Sequence, residues 1–368
     1  MNGENKRESV EERVITLTQS KVNKINTFSS QIFYASIILL NILTLILSIL
    51  YINNIAKIEK FSIVVENIKI EFVALIILIF IFMMCLKTLP NFLKVYSMTK
   101  KCRFGLLYSA ESVRNFYNMS TIYSTGATSM YVDYLVNRKV SEKNSLDVAY
   151  SRNLFERIAH TIFYSIAFIV GLIFWLKKDL SWWLLICASI PIIINLIVLC
   201  VIFSFKVNKK STIKFVANIC TIMYNLHLTK NYEKLYTKIT DNLILYDKQF
   251  KQNKTLIFTE IVSYMLTEFL KCVLVYYVLV SLNLGSIDML GDVIFRVVLI
   301  EMILLLYPFR NGCLIFEILF VMLFKNVFFE GYIFWGMLIT RLVLYFFYMI
   351  QYYLLRMCST MQRNKKAS

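Results

Sequence analysis

The sequence predicts an all-α polytopic membrane bundle of about seven spans, with its N-terminus in the cytoplasm and helices extended beyond the bilayer. Three observations carry this. Hydrophobic residues fill 58% of 368 positions, with only 9 Gly and 3 Pro to make turns, a composition foreign to water-soluble domains. Apolar runs long enough to cross a bilayer recur along the chain. Lys and Arg concentrate in alternate connections, as they do when basic loops are held on the cytoplasmic side.

The N-terminal stretch 1–29 is polar and charged, which reads as a cytoplasmic tail and not as a cleavable signal; residue 2 is Asn2, not the glycine that myristoylation needs. Spans are expected at about 30–52, 71–89, 159–176, 182–203, 256–282, 293–308 and 330–357, one domain in all, followed by a tail at 358–368. The stretch 293–325 is the ambiguous one. Arg310, Asn311 and Gly312 divide it into two apolar runs. The first reads as the sixth span and the second as a short buried or interfacial helix; two crossings there would give eight spans and put both termini on one side.

With seven spans, the N-terminus, 90–158, 204–255 and 309–329 hold 27 Lys and Arg, against 9 on the opposite side. That asymmetry predicts a cytoplasmic N-terminus and an extracellular C-terminus, with the plasma membrane as the expected location. It opposes a G-protein-coupled receptor, whose N-terminus lies outside. The sequons Asn118-Met-Ser and Asn253-Lys-Thr fall on the basic side, where they would stay unmodified. A formal net charge of +17 is accounted for by basic loops beside anionic headgroups, and no nucleic-acid motif accompanies it.

Within 204–255, Leu228, Tyr232, Leu235, Tyr236, Ile239, Leu243, Tyr246 and Phe250 recur at helical spacing between Lys, Asp and Asn, which predicts an amphipathic helix extending the neighbouring spans. The segment 104–158 behaves similarly. The 8 cysteines are scattered without a CxxC pair and read as small apolar filler. No phosphate loop, GxGxxG or HExxH is present, and His160 and His227 are the only histidines, so neither an enzyme, a metal site nor a cofactor is expected.

Ionisable residues inside apolar runs carry more information, because a charge in hydrocarbon costs a few kcal/mol and seeks a partner or water. Glu268, Lys271, Arg296, Glu301 and Arg341 are these residues. Glu268 and Lys271, three apart, could pair on one helix; Arg296 and Glu301, five apart, should seek other helices. Packing ion pairs and an aqueous path both remain open. On the last span, Tyr345, Tyr348, Gln351 and Tyr352 are candidates for a pore or gate, while an interfacial aromatic belt explains the tyrosines equally well.

At Leu344-Tyr345-FFYMI-Gln351-Tyr352 the chain resembles the insect gustatory and odorant receptor superfamily, whose gustatory members carry Thr-Tyr, five apolar residues and Gln-Phe in the last span. FFEGYIFWGMLI and YEKLYTKITDNLILYDKQF resemble the approach to that span and the amphipathic stretch before the fifth. The resemblance implies a ligand-gated cation channel of four subunits, homomeric or heteromeric, detecting small molecules, with Gln351 near the pore and Tyr345 coupling the ligand pocket to it. The run LNLGSIDMLGDVIFRVVLIEMILLLYPF is similar to the fifth-to-sixth span region of ABC-type exporters, which implies the alternative of a transporter subunit whose ATPase is supplied by a partner.

Overall fold

The computed structural model describes residues 58–121, 126–175, 182–227, 229, 231–284, 287–307, 315–326 and 330–367, with five helical positions between 43 and 50. The expected first span lies almost wholly outside these. Among the described residues the chain is helical, without strands: α1 (Phe61–Asn67), α2 (Ile70–Thr99), α3 (Phe104–Ser120), α4 (Ala127–Val136), α5 (Glu142–Trp175), α6 (Trp182–Val207), α7 (Lys209–Asn225), α8 (Tyr232–Gln249), α9 (Lys254–Ser281), α10 (Leu290–Leu304), α11 (Ile315–Phe324), α12 (Ile333–Arg341) and α13 (Phe347–Ala367). A π-helical segment, Leu342–Phe346, joins the last two.

Among the described residues, five helices are long and apolar enough to cross a membrane: Ile70–Thr99, Glu142–Phe174, Trp182–Val207, Lys254–Ser281 and Ile333–Cys358. They carry the expected spans 71–89, 159–176, 182–203, 256–282 and 330–357. α2 and α5 have 30 and 34 residues. At 1.5 Å per residue they are about 45 and 50 Å long, more than a hydrocarbon core of about 30 Å needs, so both project beyond it. Pro90 and Pro191 sit inside α2 and α6 and are tolerated where neighbouring helices cover the freed backbone. The outer faces remain apolar: Leu78, Ile173, Phe174, Trp182, Ile186 and Phe258 are all exposed.

The amphipathic stretch of 204–255 forms α7 and α8, a helical hairpin and not one straight extension. Asparagine starts each helix here. Asn208 caps α7 by accepting from the Ser211 N–H, Asn231 caps α8 from Lys234 N–H, and Asn253 caps α9 from Thr255 N–H. Each cap satisfies a backbone donor that the new helix leaves open, and so fixes the joint.

The 293–325 region departs from the expected sixth span. α10 and α11 have 15 and 10 residues. Those lengths, about 22 and 15 Å, are too short to cross alone. They form a re-entrant hairpin: the Arg296 guanidinium donates to the Leu323 carbonyl, while Glu301, further along α10, faces Tyr345, whose ring meets Phe316 at the start of α11. The second apolar run is thus the short buried helix of the two alternatives, but it leads back toward the side it came from.

This reverses the last span. At one end of the bundle, Glu59 N–H donates to Gly331 O, Trp335 Nε1 to Glu59 O and Asn67 Nδ2 to the Tyr332 hydroxyl, while Lys69 N–H bonds Ser281 O. At the other end, Lys94 meets Gln249 and Asp147, and Tyr352 stacks on Phe116 with ring centroids 4.2 Å apart. The final helix therefore starts beside the 59–69 connection and finishes beside α3 and α4. The last helix thus runs toward the end of the bundle where 90–158 packs. We call the end that carries α3, α4, α7 and α8 the basic end.

Candidate functional site

The sequence bears its charges where the helices are most deeply packed. Arg152 and Glu156 lie one turn apart on α5, and α3 lays Glu111 and Arg114 against them. Arg152 forks onto Glu111, Nε to Oε1 and Nη2 to Oε2, both 2.6 Å, and both side chains are fully buried. Its Nη1 donates to Glu156 Oε2 at 2.6 Å, and Arg114 Nη2 donates to the same oxygen at 2.7 Å. From α2, Lys87 Nζ stands 3.9 Å from Glu156 Oε1, and Asn91 donates to Glu111 Oε1 at 2.8 Å. The Tyr264 hydroxyl of α9 donates to Asn91, and its ring lies under the Arg152 guanidinium. Bidentate, charge-assisted bonding of this kind is what compensates ions removed from water.

One turn beyond Glu156, His160 Nε2 is 3.0 Å from Glu268 Oε1, and the Tyr164 hydroxyl donates to Glu268 Oε2 at 2.7 Å. Further along, Lys271 Nζ is 2.5 Å from Glu301 Oε2, and the Tyr345 hydroxyl donates to Glu301 at 3.4 Å. Glu268 and Lys271, which could pair on one helix, each have a partner on another helix. Glu301 does seek another helix, as expected. Arg296 is held by Asp292 on its own helix at 2.9 Å and by the Leu323 carbonyl. Arg341 pairs with Glu317 of α11. Tyr345, Tyr348 and Tyr352 are buried, and both polar side-chain atoms of Gln351 are enclosed without a hydrogen-bond partner among the described residues. These candidates therefore pack on helices of their own chain.

A cavity of about 400 Å³ opens beside this network. Arg114, Asn153, Glu156, Arg157 and His160 form one wall, with Thr128 of α4 and Tyr246 of α8 at the basic end. Pro191, Ile194 and Asn195 of α6 and Leu304–Tyr307, at the close of α10, form the rest. It thus reaches from the basic end into the bundle as far as the interrupted hairpin. Burial first, then the neighbouring Arg152, pulls the Arg114 pKa below the usual guanidinium range. Burial likewise raises the Tyr246 phenol, against the opposing Arg157, so it faces the cavity as a neutral donor. Among the described residues, no three His, Cys, Asp or Glu side chains converge as a metal site would need.

Glu111, Arg114, Arg152, Glu156 and Lys87 were not singled out by sequence reasoning. One signal was present: Arg152, Glu156 and His160 recur at i, i+4, i+8, a charged stripe on a long helix. No protein-family model matches the chain, no curated protein matches it, and no solved structure does.

Proposed function

We propose that the chain is a membrane transporter, or the membrane subunit of one, that carries a small polar solute through the cavity between α3, α5, α6 and the end of α10. The observation that carries the reading is the cavity itself: charged, roomy enough for a small molecule, and bordered by the end of a short helix, Leu304–Tyr307. Solute sites at discontinuous helices near the middle of the membrane are how many transporters satisfy a polar cargo without exposing backbone to lipid. Bilayer contact through the apolar outer faces fits the same reading, as does the transporter alternative raised by the 282–309 stretch.

The receptor-channel reading has one specific support. Tyr345, on the π-helical segment, bonds Glu301, and such interruptions often sit where helices change shape in function. It requires the last span to line a pore shared by four copies, whereas Tyr345, Tyr348 and Tyr352 bury themselves against their own chain.

The test is access to Asn195→Cys in sealed vesicles, with the native cysteines replaced. A membrane-impermeant maleimide should reach the thiol from both faces in separate experiments, faster from the basic end. A thiol that neither face can reach would sink the transport reading.

A further inference from the structure

Away from the cavity, α6 sets the depth at which α7 begins. Trp182 and Trp183, exposed at the start of α6, are of the type that favours a membrane–water interface, and about 20 residues of helix rise the roughly 30 Å of a hydrocarbon core. That rise ends near Phe203, so Lys206, Asn208 and Lys209 fall at headgroup level. There the helix breaks. Asn208 has φ −139° and ψ 89°, outside the helical region, and its side chain caps a new helix. α7 therefore leaves the axis of α6 within the headgroup layer.

The surface of α7 divides into three arcs. Thr212, Val216 and Cys220 are buried at successive turns, the last two packed with Leu199, Ile202 and Phe205 of α6 and Leu243 of α8. Lys210, Lys214, Asn218 and Thr221 form an exposed polar arc. Between these two run Phe215, Ile222 and, at the C-cap, Leu226, spaced i, i+7 and i+11 and 48%, 57% and 63% exposed. A helix that met only protein and water would need two arcs; an apolar strip between them calls for a third medium. The charge on the helix has one sign, since Lys209–Asn225 contains no Asp or Glu. Lys209 is engaged by Asp247 of α8 at 2.9 Å, which leaves Lys210 and Lys214 exposed beside the strip.

We propose that α7 is an anionic-lipid-binding helix lying in the membrane–water interface at the basic end, with Phe215, Ile222 and Leu226 in the acyl-chain boundary and Lys210 and Lys214 against the headgroups. The partner is the phospholipid surface itself. An apolar strip bordered by lysines matches that boundary on both counts, because acyl chains take the rings and methyl groups while anionic headgroups take the ammonium ions. Lysine stems are long enough to lie along the strip and still reach the phosphates. None of these residues lines the cavity, so the assignment holds whatever the cavity carries.

The experiment puts one NBD-labelled cysteine at a time on α7 of the full chain, its native cysteines replaced, in nanodiscs of phosphatidylcholine with phosphatidylglycerol. Labels on Phe215→Cys, Ile222→Cys and Leu226→Cys should be quenched by lipid bearing a doxyl group near its headgroup about twofold or more beyond labels on Asn218→Cys and Thr221→Cys, which aqueous iodide should reach instead. In the chain with its own cysteines, phosphatidylglycerol should raise the thermal unfolding midpoint above that in phosphatidylcholine alone. Lys210→Gln with Lys214→Gln, two exposed changes, should remove much of that rise, as should high salt. Iodide quenching without doxyl quenching along the strip would place it in water, and shielding from both would place a protein surface, such as a second copy, against it; either result overturns the proposal. So does a phosphatidylglycerol effect that the two lysine changes leave intact. Should the cysteine-replaced chain not fold, the lysine comparison decides alone.

Discussion

The buried charges at the basic end and those toward the hairpin are arranged on different plans. At the basic end each carboxylate serves several donors: Glu156 takes Arg152 and Arg114 with Lys87 behind, and Glu111 takes Arg152 and Asn91. Near the hairpin the described contacts are pairs, Lys271 with Glu301, Arg341 with Glu317 and Arg296 with Asp292, and the Phe316 and Tyr345 rings meet beside them. The first plan borders a cavity. The second reads as fixed packing. Buried ions in a membrane bundle thus divide by their number of partners, and the shared set is where a solute could enter the bonding.

The division can be broken by mutation, most severely at its centre. Arg152→Gln strips Glu111 of its fork and Glu156 of one donor, leaving two buried carboxylates undercompensated; loss of folded protein, by roughly 3–5 kcal/mol or more, is expected in an unfolding titration. Next comes the Arg341–Glu317 pair. Either single change to Met should cost a similar 3–5 kcal/mol, whereas the double change to Met should come within about 1 kcal/mol of the starting protein, because a closed pair is replaceable by apolar packing. A double mutant as damaged as the singles would mean the pair does more than pack. Gly171→Leu follows. Phe295 of α10 lies directly over Gly171 on α5, so a larger side chain must displace that ring, at about 1–3 kcal/mol, and loosen the hairpin. The smallest effect is expected for Tyr352→Leu, which keeps an apolar side chain but loses the stack on Phe116, about 1 kcal/mol by the same titration.

Local pattern reached much of this fold. The runs 71–89, 182–203 and 256–282 became helices, and the spacing of Tyr232, Leu235, Ile239 and Leu243 gave α8. What pattern could not reach was pairing between distant positions. Glu111 and Arg152 are 41 positions apart and Glu268 finds His160 across 108, whereas the neighbour Lys271 sits closer in sequence but points to α10. The hairpin escaped for a related reason: an apolar run of 15 residues looks alike whether it crosses or turns back, and only contacts such as Arg296 with Leu323 reveal the turn. The direction of the last helix hangs on that turn.

That direction is therefore the most direct thing to measure. Epitope tags inserted in the Asn137–Ser141 turn after α4 and after the last residue, read in intact and permeabilised cells, report whether the two lie on one side of the membrane. Both tags on the same side, the cytoplasmic one by the charge asymmetry, is the expected result. Tags on opposite sides would contradict the re-entrant hairpin, restore the last span to the orientation of a chemoreceptor channel, and remove the frame on which the transport cavity stands.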